Sequence, residues 1–215
     1  MAEPLVFVSV GGTANEAQER FVRAVEDRLR AEGLSPHTVG RNSFSDEAPF
    51  KAVGSLMARC AGVVVIALER LHIEQGSEKR GGPKEQALSD VRLATAWNQI
   101  EATLGHSRGL PLLVLKQTGV RPDGLLEKGF DWYVQELELD PAALSSLEFN
   151  GVLASWKAKL MAPAPARAST PAINPAEMTV AQLLGALRPT QLWALLGTVG
   201  ALLAGSFAMG AKWIA

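Results

Sequence analysis

The stretch Leu93-Ala94-Thr95-Ala96-Trp97-Asn98-Gln99-Ile100-Glu101, set between the apolar runs Ala61 to Leu68 and Leu112 to Leu115, decides the fold. A helical segment between two short apolar runs is the sequence form of a strand-helix-strand unit, with the helix crossing over a parallel sheet. Leu93, Trp97, Ile100 and Leu104 fall at i, i+4, i+7 and i+11 and predict the buried stripe of an amphipathic helix. Glu101, four residues after Trp97, borders that stripe. A carboxylate held against an indole and partly shielded from water would stabilise positive charge on a bound substrate. The position also fits an ordinary solvated helix carboxylate.

Working outward, Leu5 to Val10 reads as a β-strand that ends at Gly11-Gly12. A helix is expected from about Thr13, because Thr13 and Glu16 have capping-box spacing. Phe21, Val22, Val25 and Leu29 recur on one face of it, and Gly33 closes it as a C-terminal glycine does. A second strand is expected near His37 to Val39, a polar loop over Asn42 to Pro49 and a helix over Phe50 to Arg59. Val63-Val64-Val65-Ile66 is the continuous β-branched run of a central parallel strand. Glu69 to Ser89, with Gly76, Gly81, Gly82, Pro83 and charges of both signs, is longer than a connection needs, and reads as a lid or a contact surface. Phe130, Trp132 and Tyr133 are read as core aromatics. A last helix is expected from Pro141 to Leu160. The whole is an α/β domain with a parallel sheet flanked by helices, and such sheets bind ligands beyond the carboxyl ends of their strands.

A net charge of −1 offers no basic stripe to neutralise phosphates and argues against nucleic acid as a partner. Cys60 is the single cysteine and reads as a buried small hydrophobe; His37, His72 and His106 are scattered, so no metal site is expected. The amino terminus carries no secretory pattern. Composition changes at Met161, where a Pro/Ala-rich stretch begins. The expected organisation is an α/β domain over 1–160, a linker and juxtamembrane segment over 161–190, and a transmembrane helix over 191–215. Leu192 to Ala211 is an uncharged run of 20 residues, about 30 Å long as a helix, which matches one hydrocarbon core. Trp193 and Trp213 stand near its ends, as interfacial anchors do. Gly197, Ala201 and Gly205, and separately Gly200, Ala204 and Ala208, permit close helix packing. The expectation is a homo-oligomer held at the membrane by a single carboxy-terminal pass, its main domain cytoplasmic.

Three features should converge at the top of the sheet: the loop Ser9 to Thr13, the loop Gly40 to Pro49, and Glu101. Gly11 and Gly12 allow close backbone approach, and the helix after them offers free N–H groups to a phosphate. The Walker A lysine, the dinucleotide-binding glycine pattern and a nucleophile elbow are all missing, which excludes the common NTPase, hydride-transfer and serine-hydrolase classes.

Val6-Phe7-Val8-Ser9, the helix ending at Gly33, the loop through Pro49, Val63 to Leu68, and Trp97 with Glu101 resemble a TIR (Toll/interleukin-1 receptor) domain over residues 5 to about 120. The nucleoside 2-deoxyribosyltransferase fold looks similar. The resemblance implies a TIR/flavodoxin-like sheet and a role for Glu101 in cleaving NAD+ at its nicotinamide-ribose bond, with NAD+ as substrate and no further cofactor. It implies that Phe7, Ser9, Gly11, Gly12 and Trp97 frame the nucleotide and that Phe44 and Ser45 gate it. The chemistry is coherent, because losing nicotinamide gives the ribose oxocarbenium character that a carboxylate stabilises. Val10 after Ser9, Asn98 in place of a frequent cysteine, and the 69–89 insertion depart from the pattern.

The reading that follows is a membrane-anchored NAD+ nucleosidase, an effector of antiviral defence or signalling in bacteria that is activated by assembly. A non-catalytic adaptor or nucleotide sensor at the membrane, and a deoxyribosyltransferase-like N-glycosidase, are the alternatives.

Overall fold

The computed structural model describes residues 3–129 and 131–162. The expected linker from residue 163 on and the expected transmembrane helix at 191–215 lie outside the described residues, as does Phe130, while Met161, expected to open the linker, ends the last described helix. Among the described residues no helix is long and apolar enough to cross a membrane.

Five parallel strands form the central sheet: β1 (Leu5–Val10), β2 (Ser35–His37), β3 (Gly62–Ala67), β6 (Leu112–Gln117) and β7 (Tyr133–Leu137). Their order is β2-β1-β3-β6-β7, which is the flavodoxin-like doubly wound order once two hairpin strands are set aside. Strand β3 is buried at every position, as its β-branched run requires of a central parallel strand. Alternate residues feed two cores. Val6, Val8, Val64, Ile66, Leu113 and Leu115 face helices α1 (Glu16–Ala31) and α4 (Leu147–Met161). Phe7, Val63, Val65 and Val114 face the side of α2 (Pro49–Met57) and α3 (Ala96–Ser107).

Helix α1 starts later than the capping-box spacing suggests. Asn15 is its N-cap and accepts from the Gln18 amide, while Thr13 donates its hydroxyl to Glu19 instead. Its end is a Schellman turn: Leu34 N–H donates to Leu29 O, Gly33 N–H to Arg30 O, and Gly33 has φ +74°. Strand β2 lies two residues before the expected position. The expected helix over 141–160 is in two parts, a 3-10 turn at Pro141–Ser145 and then α4, because Ser146 leaves helical geometry to cap the Phe149 amide.

The segment expected as a loop over 69–89 is a hairpin, β4 (Leu71–Glu78) with β5 (Gln86–Leu93), paired antiparallel outside the main sheet. Its charges are engaged: Asp90 meets His72 at 2.7 Å, and Glu78 meets Arg121 at 2.9 Å. Asp90 has φ +52° and lies opposite Glu74, at a gap in the ladder.

The stripe predicted for α3 is not the buried one. Trp97 is 42% and Ile100 41% exposed, and Leu93 belongs to β5. The buried residues are Asn98, Glu101, Ala102 and Gly105, at the same helical spacing but rotated about one residue around the axis. Small residues set this rotation. A Cβ on Gly105 would stand 2.7 Å from Val63 Cγ2, so only glycine lets α3 settle this close to β3.

Candidate active site

The site lies near the carboxyl end of β1, beside β3, where the strand order reverses direction and doubly wound sheets place their ligands. Ser9 is the penultimate residue of β1, in register with Val65 on β3, which in turn is in register with Val114 on β6. It is fully buried and puts one hydroxyl into an otherwise apolar rank beneath α3.

Helix α3 supplies the groups that meet it. Thr95 caps the helix by accepting from the Trp97 amide. Asn98 and Glu101 then follow on the inward face. The Asn98 amide nitrogen donates to Ser9 O at 3.2 Å and to Ser9 Oγ at 3.0 Å. Glu101 is only 9% exposed. Burial pushes its carboxyl up to about 7, and the Ser9 side chain partly opposes that rise. At neutral pH the acid is therefore poised between its two forms, as proton-transfer groups in enzymes are. The solvated alternative for Glu101 does not hold.

The loop after β1 packs directly on the start of α3. A Cβ on Gly11 would meet Thr95 Cγ2 at 3.1 Å, so Gly11 serves close packing at the helix cap. Gly12 accepts at its carbonyl from Arg70, across from the loop after β3. That loop is fixed in turn, because Glu69 N–H donates to the Gln117 side chain and Gln18 donates to Glu69 O. The ends of β1, β3 and β6 are thus stitched together around the site.

The remaining expected ligands are placed differently. Phe7 is 1% exposed and belongs to the core under α2 and α3, so it supports the site from below. Trp97 presents its ring at the surface. Phe44 is 81% exposed, and with Ser45 it lines a small cleft of about 160 Å³ against Ala52, Ser55 and Leu56. The lining of that cleft contains neither Ser9 nor Glu101. Arg41 holds the same loop to α1 through Glu26 at 2.8 Å and Glu19 at 2.9 Å. Trp132 packs against the core and Tyr133 is half exposed, its hydroxyl on Glu148. Cys60 is buried, with its thiol on Leu56 O and pushed up to about 11 by burial. Among the described residues no group of His, Cys, Asp and Glu could hold a metal ion.

Asn98 is the functional candidate that sequence reasoning passed over, noting it only as a departure from a family pattern. The signal was the run Asn98, Glu101, Ala102, Gly105 at i, i+3, i+4, i+7, a small and polar face that packs as closely as an apolar one.

No protein-family model matches this chain, and no curated protein matches it. Among solved structures it is similar to a CMP N-glycosidase from Clostridium botulinum, at 11% identity and a TM-score of 0.43, over 68% of this chain and 98% of that one. No residue role is carried across from that likeness. The class is set by the molecule itself: an α/β domain with a mainly parallel sheet flanked by helices, holding one buried acid near the carboxyl end of its first strand.

Proposed function

We propose that the domain is an N-glycosidase that cleaves the nicotinamide-ribose bond of NAD+, with Glu101 as its acid-base group. The observation that carries this reading is the buried Glu101 carboxyl, raised to about 7 by that burial, at the ligand end of the sheet. In the reaction the bond between ribose C1′ and the pyridinium nitrogen breaks, and its electron pair leaves with neutral nicotinamide. The ribosyl group gains oxocarbenium character, which the ionised Glu101 stabilises. Water then adds at C1′ and gives its proton to Glu101. A carboxylate with a value near 7 accepts that proton more readily than a solvated one does. The exposed ring of Trp97, one turn before Glu101, offers a stacking face for a base.

The uncharged run at 192–211 suits a membrane anchor that raises local concentration, and assembly is the proposed activating step. A non-catalytic nucleotide sensor is favoured by one observation, the depth of Glu101, since a substrate must reach a carboxylate that is 9% exposed.

The experiment is nicotinamide release from NAD+ by the full chain in liposomes, wild type beside Glu101→Gln, with a parallel panel of nucleosides and nucleoside monophosphates. Turnover lost in the variant supports the enzyme. Equal turnover in both proteins, or base release only from the panel, removes the NAD+ reading; binding with no turnover anywhere leaves the sensor.

A further inference from the structure

A cleft of about 530 Å³ opens beside the ends of β6 and β7, lined by Lys116, Pro122, Leu126, Glu127, Lys128 and Glu136. Neither Ser9 nor Glu101 is in that lining. Alternation along β6 puts Leu112, Val114 and Lys116 on the side of the sheet that faces α2 and α3. Leu112 and Val114 are core residues, and Lys116 continues their rank at only 3% exposure. A buried ammonium is costly unless its protons are paired, and an aliphatic residue would fill the same place without that cost. Here Nζ donates to Val120 O at 2.8 Å and meets the Glu136 carboxylate at 3.2 Å. An ammonium carries three protons, so one is left without a partner among the described residues.

The two carboxylates of the cleft already hold backbone donors from the same loop. Gly119 N–H donates to Glu136 at 3.2 Å, and Gly124 N–H donates to Glu127 at 3.1 Å. Lys128 is exposed and forms no hydrogen bond or ion pair among the described residues. The donors left over are therefore cationic: one proton of the buried Lys116 and the ammonium of Lys128. The carboxylates do not make a cation site, because among the described residues no group of His, Cys, Asp and Glu could hold a metal ion. The loop is held in place from the other side. Gln99 on α3 donates to Asp123 O at 2.7 Å and accepts from Leu125 N–H at 2.9 Å, so the cleft is preformed and a ligand need not order it.

We propose that this cleft is an anion site, which takes the phosphate or carboxylate group of a small organic ligand between Lys116 and Lys128, apart from the crevice that holds Glu101. Pockets of about 300–1,000 Å³ are the usual size for small ligands. A compact ammonium serves an oxyanion as a point charge, and Pro122 and Leu126 give the rest of the ligand an apolar wall. Glu136 competes with the anion for the same ammonium and so lowers the affinity. The site does not depend on the N-glycosidase reading.

The test is a titration of the full chain in detergent with inorganic phosphate and, separately, with acetate, followed by amide NMR. The Gly119, Val120 and Lys128 amides should shift saturably with one of the two anions, and which one it is separates a phosphate ligand from a carboxylate. Lys128→Ala, at an exposed position, should weaken binding about tenfold, the worth of one charge-assisted hydrogen bond. Glu136→Gln removes the competing charge and should tighten binding about fivefold. Glu101→Gln should bind as the wild type does, whether or not NAD+ is a substrate. No saturable shift with either anion overturns the proposal. So does Lys128→Ala binding as well as the wild type, Glu136→Gln binding no more tightly, or loss of binding in Glu101→Gln.

Discussion

Gly105 on α3 and Val63 on β3 meet so closely that a Cβ on the glycine would stand 2.7 Å from the valine Cγ2. Val63 is fully buried and cannot swing aside. Gly105→Ala should therefore lift α3 from the sheet and cost about 1–3 kcal/mol, as overpacking of a filled core does. Denaturant unfolding measures this directly, and Glu101 should become more exposed and titrate lower. Stability equal to the wild type would mean that the helix is not seated as described.

Glu101 makes stability depend on pH. Its folded value of about 7 lies above the ordinary 4.5, so the folded protein holds the proton more tightly than the unfolded chain. The stabilisation is fully present below about 4.5 and is lost as pH rises to 7. Glu101→Gln removes the ionisation, so the variant should gain on the wild type across that window and be more stable at pH 8, by on the order of 2–3 kcal/mol. Unfolding curves at pH 5 and pH 8 test this; a difference that does not grow with pH defeats it.

Arg41 ties the loop after β2 to α1. With Arg23 and Thr13 it holds the Glu19 carboxyl down at about 2, below the ordinary 4.5. A lowered carboxylate contributes stability that is complete above about 4.5 and is lost as pH falls through that range towards 2. Arg41→Ala should cost about 1 kcal/mol at neutral pH, given the partial exposure of the pair. The gap should narrow in acid. Thermal melts at pH 7 and pH 3 would show it, and a constant gap would place the effect in packing instead.

Trp97 separates surface from core. Because it is 42% exposed, Trp97→Ala should cost less than about 1 kcal/mol, far under the loss expected for a buried tryptophan. Under the proposed function it should weaken NAD+ binding and raise KM more than it lowers kcat. A large fall in melting temperature would return Trp97 to the core.

The sheet was legible because β-branched and apolar runs at Leu5–Val10, Val63–Ile66 and Leu112–Leu115 leave little choice between strand and helix. Glu101 was singled out by its distance from Trp97, and the structure places it on the buried face of α3. The face of α3 was not. Periodicity counts large apolar residues, and here small ones make the contact, so the tryptophan pattern pointed about 100° away from the buried side. Strand β7 was hidden among aromatics and charges because only Val134, Gln135 and Leu137 are buried in it. The hairpin was missed because neither of its strands buries a residue and neither carries an alternation strong enough to read.

The hairpin's two ends meet at one place. Arg70 N–H donates to Leu93 O at 2.8 Å, so the chain re-enters the domain at the point where it left. A short turn joining Arg70 to Ala94 would reconnect β3 to α3 without moving either. The ribbon thus leaves and returns at one point, and it is held to the loop after β6 at both ends, where Arg121 N–H donates to Arg92 O and the Arg121 guanidinium meets Glu78.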